Sequence, residues 1–245
     1  MDSSNIICKN CGNVFRLNYC NQCGQPAYTP RIGWKEIAHY LPHAMLHLDK
    51  GFFYTIKELA TRPGYVLRGY LEGKRKPYYN PFLLLILASA FCTFLFIIFH
   101  LDTILAVVKV EKLEKENTFV AHKFMVIRAI YFGLVCSVGD YLLFYRRGYN
   151  LPEMILVNTF AFAEISIFQI LLIPLLLLGR HFNFSRYIAA AFLIIALGYM
   201  FLVRYQFYKT AGNNKLVLKI ALALLCYIIF ILISAQTIVK PFFGN

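Results

Sequence analysis

Four cysteines near the start of the chain are the residues whose type and spacing best suit chemistry. Cys8, Cys11, Cys20 and Cys23 follow the pattern Cys-x2-Cys-x8-Cys-x2-Cys. Two close thiolate pairs can close a tetrahedron around Zn2+, and the glycine after each pair, Gly12 and Gly24, permits the tight turn that aims both sulfurs inward. Four sulfurs leave no open position for a substrate, so the metal expected here is structural. So short a segment has almost no core, and metal binding would supply most of its folding free energy. Two disulfides, an iron–sulfur cluster or labile regulatory zinc are the alternatives. The disulfides would require an oxidising compartment and would leave Cys92, Cys136 and Cys226 as unrelated thiols.

Other candidates lie further along. His39, His43 and His47 fall at intervals of four and would share one face of an uninterrupted helix. That spacing could hold a metal, but Pro42 interrupts it, and six histidines in the whole chain are too few for a membrane di-iron enzyme. Packing at the membrane interface is the simpler expectation. Arg128, Asp140 and Glu164 sit inside apolar blocks, where an ionisable group costs at least about 2–3 kcal/mol unless paired, hydrated or near an interface. Twelve residues of one helix separate Arg128 from Asp140 by about 18 Å, so they cannot pair with each other. Arg128 is expected to reach headgroups at one end, and Asp140 to do the same beside Arg146 and Arg147. Glu164 has no such escape and should face the bundle interior, with Asn158, Thr159, Ser166 and Gln169 as polar neighbours, either as a functional group or as a hydrogen-bonded structural acid. Ser89, Ser137 and Ser166 have no nearby histidine, and no glycine-rich loop resembles a nucleotide site, so no catalytic residue is assigned.

These residues must be positioned by helices in a membrane. The chain has 245 residues, of which 59% are hydrophobic and 15% charged, too few charges to cover a water-facing surface of that size. Its mean hydropathy is +0.58. From residue 81 onward the apolar residues fall into long blocks separated by short basic stretches. The expected fold is an all-α polytopic membrane protein of about five transmembrane helices, with a small N-terminal zinc ribbon and amphipathic interfacial helices. Three units follow: a ribbon at 1–30, a basic amphipathic collar at 31–80, and a transmembrane domain at 81–245. The spans are placed near 81–99, 124–145, 154–178, 187–203 and 216–239. Pro174 reads as a tolerated kink.

The formal net charge of +13 raises nucleic acid as a partner. The basic residues, however, flank apolar blocks, where they read as topology determinants and partners of anionic lipid headgroups. Arg62, Arg68, Lys74, Arg75 and Lys76 are the expected headgroup contacts. Counting Lys and Arg on the two sides of five spans gives eleven against eight in favour of the N-terminal side being cytoplasmic. A reducing cytosol also suits zinc-binding thiolates.

The four-cysteine head, His47-Leu-Asp-Lys-Gly51, Arg62-Pro-Gly64 with Arg68 and Tyr70, and Gly73-Lys-Arg75 followed by Asn80-Pro81 together resemble an uncharacterised family of bacterial, mostly Bacteroidetes-type, polytopic membrane proteins. The phrases run from residue 8 to residue 81. The resemblance implies a bacterial inner membrane and brings no mechanism with it. The functions that remain are a membrane adaptor or assembly factor presenting the ribbon to a protein partner, a transporter, channel or lipid-handling protein with a polar route around Glu164, and a lipid-modifying enzyme using His39, His43, His47, Asp49 and Lys50.

Overall fold

A computed structural model of the chain describes residues 5–40, 51–101, 125–182, 184–209 and 215–243. His43, His47, Asp49 and Lys50 lie outside them, as do the side chains of His39 and Arg128. The ribbon begins with β1 (Ile6–Ile7) and β2 (Val14–Phe15), antiparallel with Ile6 opposite Phe15. Its apolar core is little more than Cys8, Phe15 and Cys20, with Ile6, Cys23 and Ala27 packed around them.

Eight helices follow among the described residues: α1 (Trp34–Tyr40), α2 (Gly51–Thr61), α3 (Pro63–Glu72), α4 (Pro81–Ile98), α5 (Met125–Phe144), α6 (Leu151–His181), α7 (Ser185–Tyr208) and α8 (Leu216–Phe243). A short 3-10 turn, Tyr145–Arg147, joins α5 to α6. Three stretches are long and apolar enough to cross a membrane: Pro81–Ile98, Leu151–Gly179 and Tyr187–Tyr208. This is the pattern of a multi-pass helical membrane protein. It corrects the expectation of five spans to three among the described residues. The helix α8 contributes a shorter apolar stretch, Leu216–Ile229. The helix α5 is also not among the three.

The centre of the bundle is α6, which packs against α4, α5, α7 and α2. Residues 152–164 of it are all buried, so the helix is enclosed on every side rather than along one stripe. Pro174 lies inside α6 without ending it.

The collar is built from helix punctuation. Pro63 opens α3 at a position where its missing N–H is no loss, and Gly73 closes it in a left-handed conformation at φ 112°, with the Lys74 N–H donating to the Gly69 carbonyl at 2.9 Å. The Asn80 side chain caps α4 by accepting from the N–H groups of Phe82 and Leu83 at 3.0 and 3.3 Å, and Pro81 takes the first helical position. Within α2, the buried Thr55 hydroxyl accepts from the Tyr79 N–H at 2.8 Å and ties that helix to the start of α4. The collar meets the bundle where α3 crosses α7. There the Gly64 N–H donates to Gln206 Oε1 at 3.1 Å and Arg68 Nη2 donates to the Gln206 carbonyl.

No side chain fits at residue 64: a Cβ there would lie 2.3 Å from Gln206 Cβ and 2.4 Å from the Phe207 nitrogen. Gly64→Ala is therefore expected to push α3 off α7 and to cost about 1–3 kcal/mol or more. Thermal unfolding of the full chain in detergent micelles should show a lowered midpoint.

Candidate metal centre and buried polar groups

Both Cys-x2-Cys-Gly turns of the ribbon have the same construction. The Gly12 N–H donates to the Cys8 carbonyl at 2.9 Å, and the Gly24 N–H to the Cys20 carbonyl at 2.8 Å. Positive φ at each glycine, 77° and 71°, is the conformation the turn needs and other residues resist. Each loop is closed by a second bond of 2.8 Å, from the Cys8 N–H to the Asn13 carbonyl and from the Cys20 N–H to the Gln25 carbonyl.

These turns bring the four sulfur atoms within 4.8 Å of one another. Cys8 Sγ lies 3.5 Å from Cys23 Sγ, and Cys11 Sγ 3.6 Å from Cys20 Sγ. A zinc tetrahedron with Zn–S bonds of about 2.3 Å has sulfur–sulfur edges of roughly 3.8 Å, whereas a disulfide needs about 2.05 Å. The separations suit a metal. Cys8, Cys11, Cys20 and Cys23 form a cluster fitted to structural Zn2+, as their spacing implied. Burial pushes the Cys20 thiol up, but the backbone N–H groups of Cys23 and Gln22 and the Asn13 side chain outweigh it and bring the group down to about 6. Cys11 goes the other way. Although the Asn13 backbone N–H favours its thiolate, burial and the three neighbouring sulfurs push it up to about 12. Four thiols in one cluster do not all ionise unaided, and a bound divalent cation supplies the charge that lets them.

The ribbon does not hang free of the membrane domain. Gln25, buried two residues after Cys23, donates from Nε2 to the Gly73 carbonyl at 3.1 Å and accepts from the Lys76 N–H at 2.9 Å. Arg75 donates to the Pro30 carbonyl. Arg31 then reaches the start of α6 and clasps Glu153 with Nε and Nη2 at 2.7 and 2.8 Å, while Asn150 Nδ2 donates to the Ile32 carbonyl at 2.8 Å. Of the expected headgroup contacts, Arg62 is paired with Glu58 at 2.7 Å, and Arg68 and Arg75 hold neighbouring backbone. Lys76 is exposed and Lys74 half-buried.

The intramembrane candidates are separated. Arg128 lies in the first turn of α5. Asp140 does not turn to Arg146 and Arg147. It is buried and forms an ion pair with Arg204 of α7 at 2.9 Å, and accepts from Asn158 Nδ2 at 2.9 Å. Asn158 Oδ1 accepts in turn from Arg204 Nη2 at 3.2 Å, so three helices share one closed polar triangle. Arg204 is 3% exposed and belongs to this network. Its signal in the sequence was a depth match. Asp140 lies four residues before the end of α5, and Arg204 the same distance before the end of α7.

Glu164 is fully buried, and neither carboxylate oxygen has a hydrogen-bond partner among the described residues. Its expected neighbours bond elsewhere. Thr159 donates to the Ile155 carbonyl, Ser166 to the Phe162 carbonyl, and Gln169 accepts from Cys92 Sγ. Helix geometry explains the discrepancy, because residues two, five or six positions away project from other faces than Glu164 does.

Two expected outcomes follow from these groups. Asp140→Asn or Arg204→Met alone should cost about 3–5 kcal/mol by stranding the remaining partner. The double variant should recover most of that loss, a non-additivity readable by chemical denaturation in micelles. Acidification should release the metal, because zinc needs thiolates. The stability it contributes is present at neutral and higher pH and is lost as pH falls, because protons compete with zinc for the four thiolates. Zinc content and protease sensitivity of residues 5–33, followed between pH 8 and pH 5, would show it. Cys8→Ser should reproduce the acid state at pH 8 while the helices remain inserted.

A family model described as "Protein of unknown function (DUF3667)" matches residues 49–93, a stretch that includes α2, α3 and most of α4. No curated protein and no solved structure matches the chain. Within the matched stretch, Pro63, Gly64, Gly73, Asn80 and Pro81 act as helix punctuation or as the α3–α7 crossing. The chain is thus similar, over its collar and first span, to an uncharacterised family, and carries a four-cysteine cluster fitted to zinc ahead of that stretch.

Proposed function

We propose that this protein is a membrane-anchored adaptor or assembly factor of a bacterial inner membrane, with its N-terminus in the cytoplasm and its zinc ribbon offered to a protein partner. The observation that carries this reading is the apolar surface that the ribbon keeps uncovered although it is docked. Gln25, Pro30 and Arg31 bind the protein's own collar and bundle. Ile7, Val14, Leu17 and Tyr19 nevertheless stay between 55% and 70% exposed, more apolar surface than so small a module needs to show. The clamp on Gly73 and Glu153 removes the freedom that a flexible head would lose on binding, so a partner meets a preorganised surface. In this reading Arg62, Lys74 and Lys76 meet anionic headgroups.

The alternative of a polar route through the bundle depends on Glu164. Its complete enclosure favours a scaffold over a conduit, since a solute route needs that carboxyl to be reached from one face. The lipid-modifying alternative rests on His39, His43, His47, Asp49 and Lys50, whose side chains lie outside the described residues.

Photo-crosslinking from position 17 in native membranes tests the adaptor reading. A discrete protein should be captured by the otherwise native chain and lost when Ile7 and Tyr19 are both changed to serine, with zinc content unchanged. Capture that is indifferent to those substitutions, or no capture dependent on the head, would overturn it.

A further inference from the structure

A cleft of about 270 Å³ opens where α3 passes the turn between α5 and α6, beside the Arg31–Glu153 clasp. Its walls include Arg68, Leu71, Glu72 and Tyr149. Small-ligand sites commonly run from about 300 Å³ upward, so this one has room for a compact polar group and not for a folded peptide. It lies at the level where α6 begins its apolar stretch at Leu151, which is the depth of lipid headgroups.

The charges in the cleft are not equivalent. Glu153 is already satisfied: it takes both prongs of Arg31 and the Asn150 N–H at 2.8 Å. Arg68 and Glu72, four residues apart on α3, stand at a spacing that ordinarily closes an ion pair. Among the described residues they form none. Arg68 is drawn instead towards the Gln206 carbonyl and lies 5.2 Å from the centre of the Tyr65 ring, and its Nε is buried with no hydrogen-bond partner among the described residues. Glu72 is left as an exposed carboxylate on the same wall. One cation and one anion therefore stand side by side on the α3 wall of a small cleft without closing an ion pair among the described residues. The Tyr149 hydroxyl sits among them. Burial pushes its phenol up, Arg68 pulls it down, and Glu153 and Glu72 push it up again.

We infer that this cleft binds a zwitterionic phosphate–ammonium group, the phosphate on the Arg68 side and the primary ammonium on Glu72. The group comes either from an aminophospholipid headgroup or from free phosphoethanolamine. An anionic headgroup without an amine would satisfy Arg68 but would set a second negative charge beside Glu72. The recognition is thus for the pair of charges, beyond the general attraction of a basic collar for anionic lipid. It does not depend on whether the ribbon binds a protein partner.

The test uses the full-length protein purified from micelles containing equal amounts of phosphatidylethanolamine and phosphatidylglycerol, with retained lipid measured by mass spectrometry. The native chain should retain phosphatidylethanolamine in about tenfold preference, the scale of one charge-assisted hydrogen bond. Glu72→Gln should bring the preference close to unity, and Glu72→Lys should invert it towards phosphatidylglycerol. Glu72 has no ion pair among the described residues to lose, so both variants should keep native zinc content and thermal unfolding. Excess phosphoethanolamine that displaces the lipid identifies the headgroup alone as sufficient. Failure to displace it identifies the lipid as the source. Equal retention of the two lipids by the native chain, or a preference that survives Glu72→Gln, would overturn the inference.

Discussion

Glu153 sits where the two halves of the protein meet, and much of the arrangement depends on how its carboxylate is shared. It accepts from the Asn150 N–H at the start of α6 while the Asn150 side chain accepts from the Glu153 N–H, both at 2.8 Å, a reciprocal cap that satisfies two otherwise orphaned donors. The same carboxylate takes Arg31 in a two-pronged pair. One buried group therefore sets where the central helix begins and where the linker from the ribbon lands. Negative charge at a helix N-terminus is also favourable to the helix dipole, so the two roles reinforce each other. With α6 started there, Met154, Leu156, Val157 and Phe160 are fully enclosed among the surrounding helices.

The ribbon inherits its place from that junction. Its own core is too small to hold a fold, so its shape depends on metal, and its position depends on the bonds from Gln25, Arg75 and Arg31. Gln25 links the two dependencies. Its carbonyl closes the second cysteine turn through the Cys20 N–H, and its side chain reaches the Gly73 carbonyl and the Lys76 N–H. Folding of the metal site and docking of the head are therefore coupled through a single residue.

Within the bundle, polar groups are treated in two ways. Asp140, Arg204 and Asn158 satisfy one another across three helices, so each helix is held in register by partners it cannot leave cheaply. Hydroxyls such as Ser89, Thr93, Thr159 and Ser166 instead bond back to carbonyls of their own helices, which satisfies them without linking elements. Glu164 does neither, and its carboxyl is the one buried acidic group among the described residues with both oxygens unpartnered.

What the sequence alone determined about this protein is local or compositional. Two Cys-x2-Cys-Gly turns carry their geometry in four or five consecutive residues, so the metal ligands could be named from spacing. Hydropathy needs no knowledge of neighbours, so the apolar blocks placed near 81–99, 154–178 and 187–203 meet the stretches Pro81–Ile98, Leu151–Gly179 and Tyr187–Tyr208, while those placed near 124–145 and 216–239 are not among the three; Asn80-Pro81 marks the start of α4 by the chemistry of its cap. What only the tertiary structure decided is which distant groups meet. Asp140 finds Arg204 sixty-four residues on, Arg31 finds Glu153 across the collar, and Gly64 is required because α7 passes within contact distance of its Cα. The polar residues nearest Glu164 in sequence project from other faces of α6, because a helix turns about 100° per residue and adjacency along the chain is not adjacency in space. Pairing of buried charges is a property of how helices pack, and no window of sequence contains both partners.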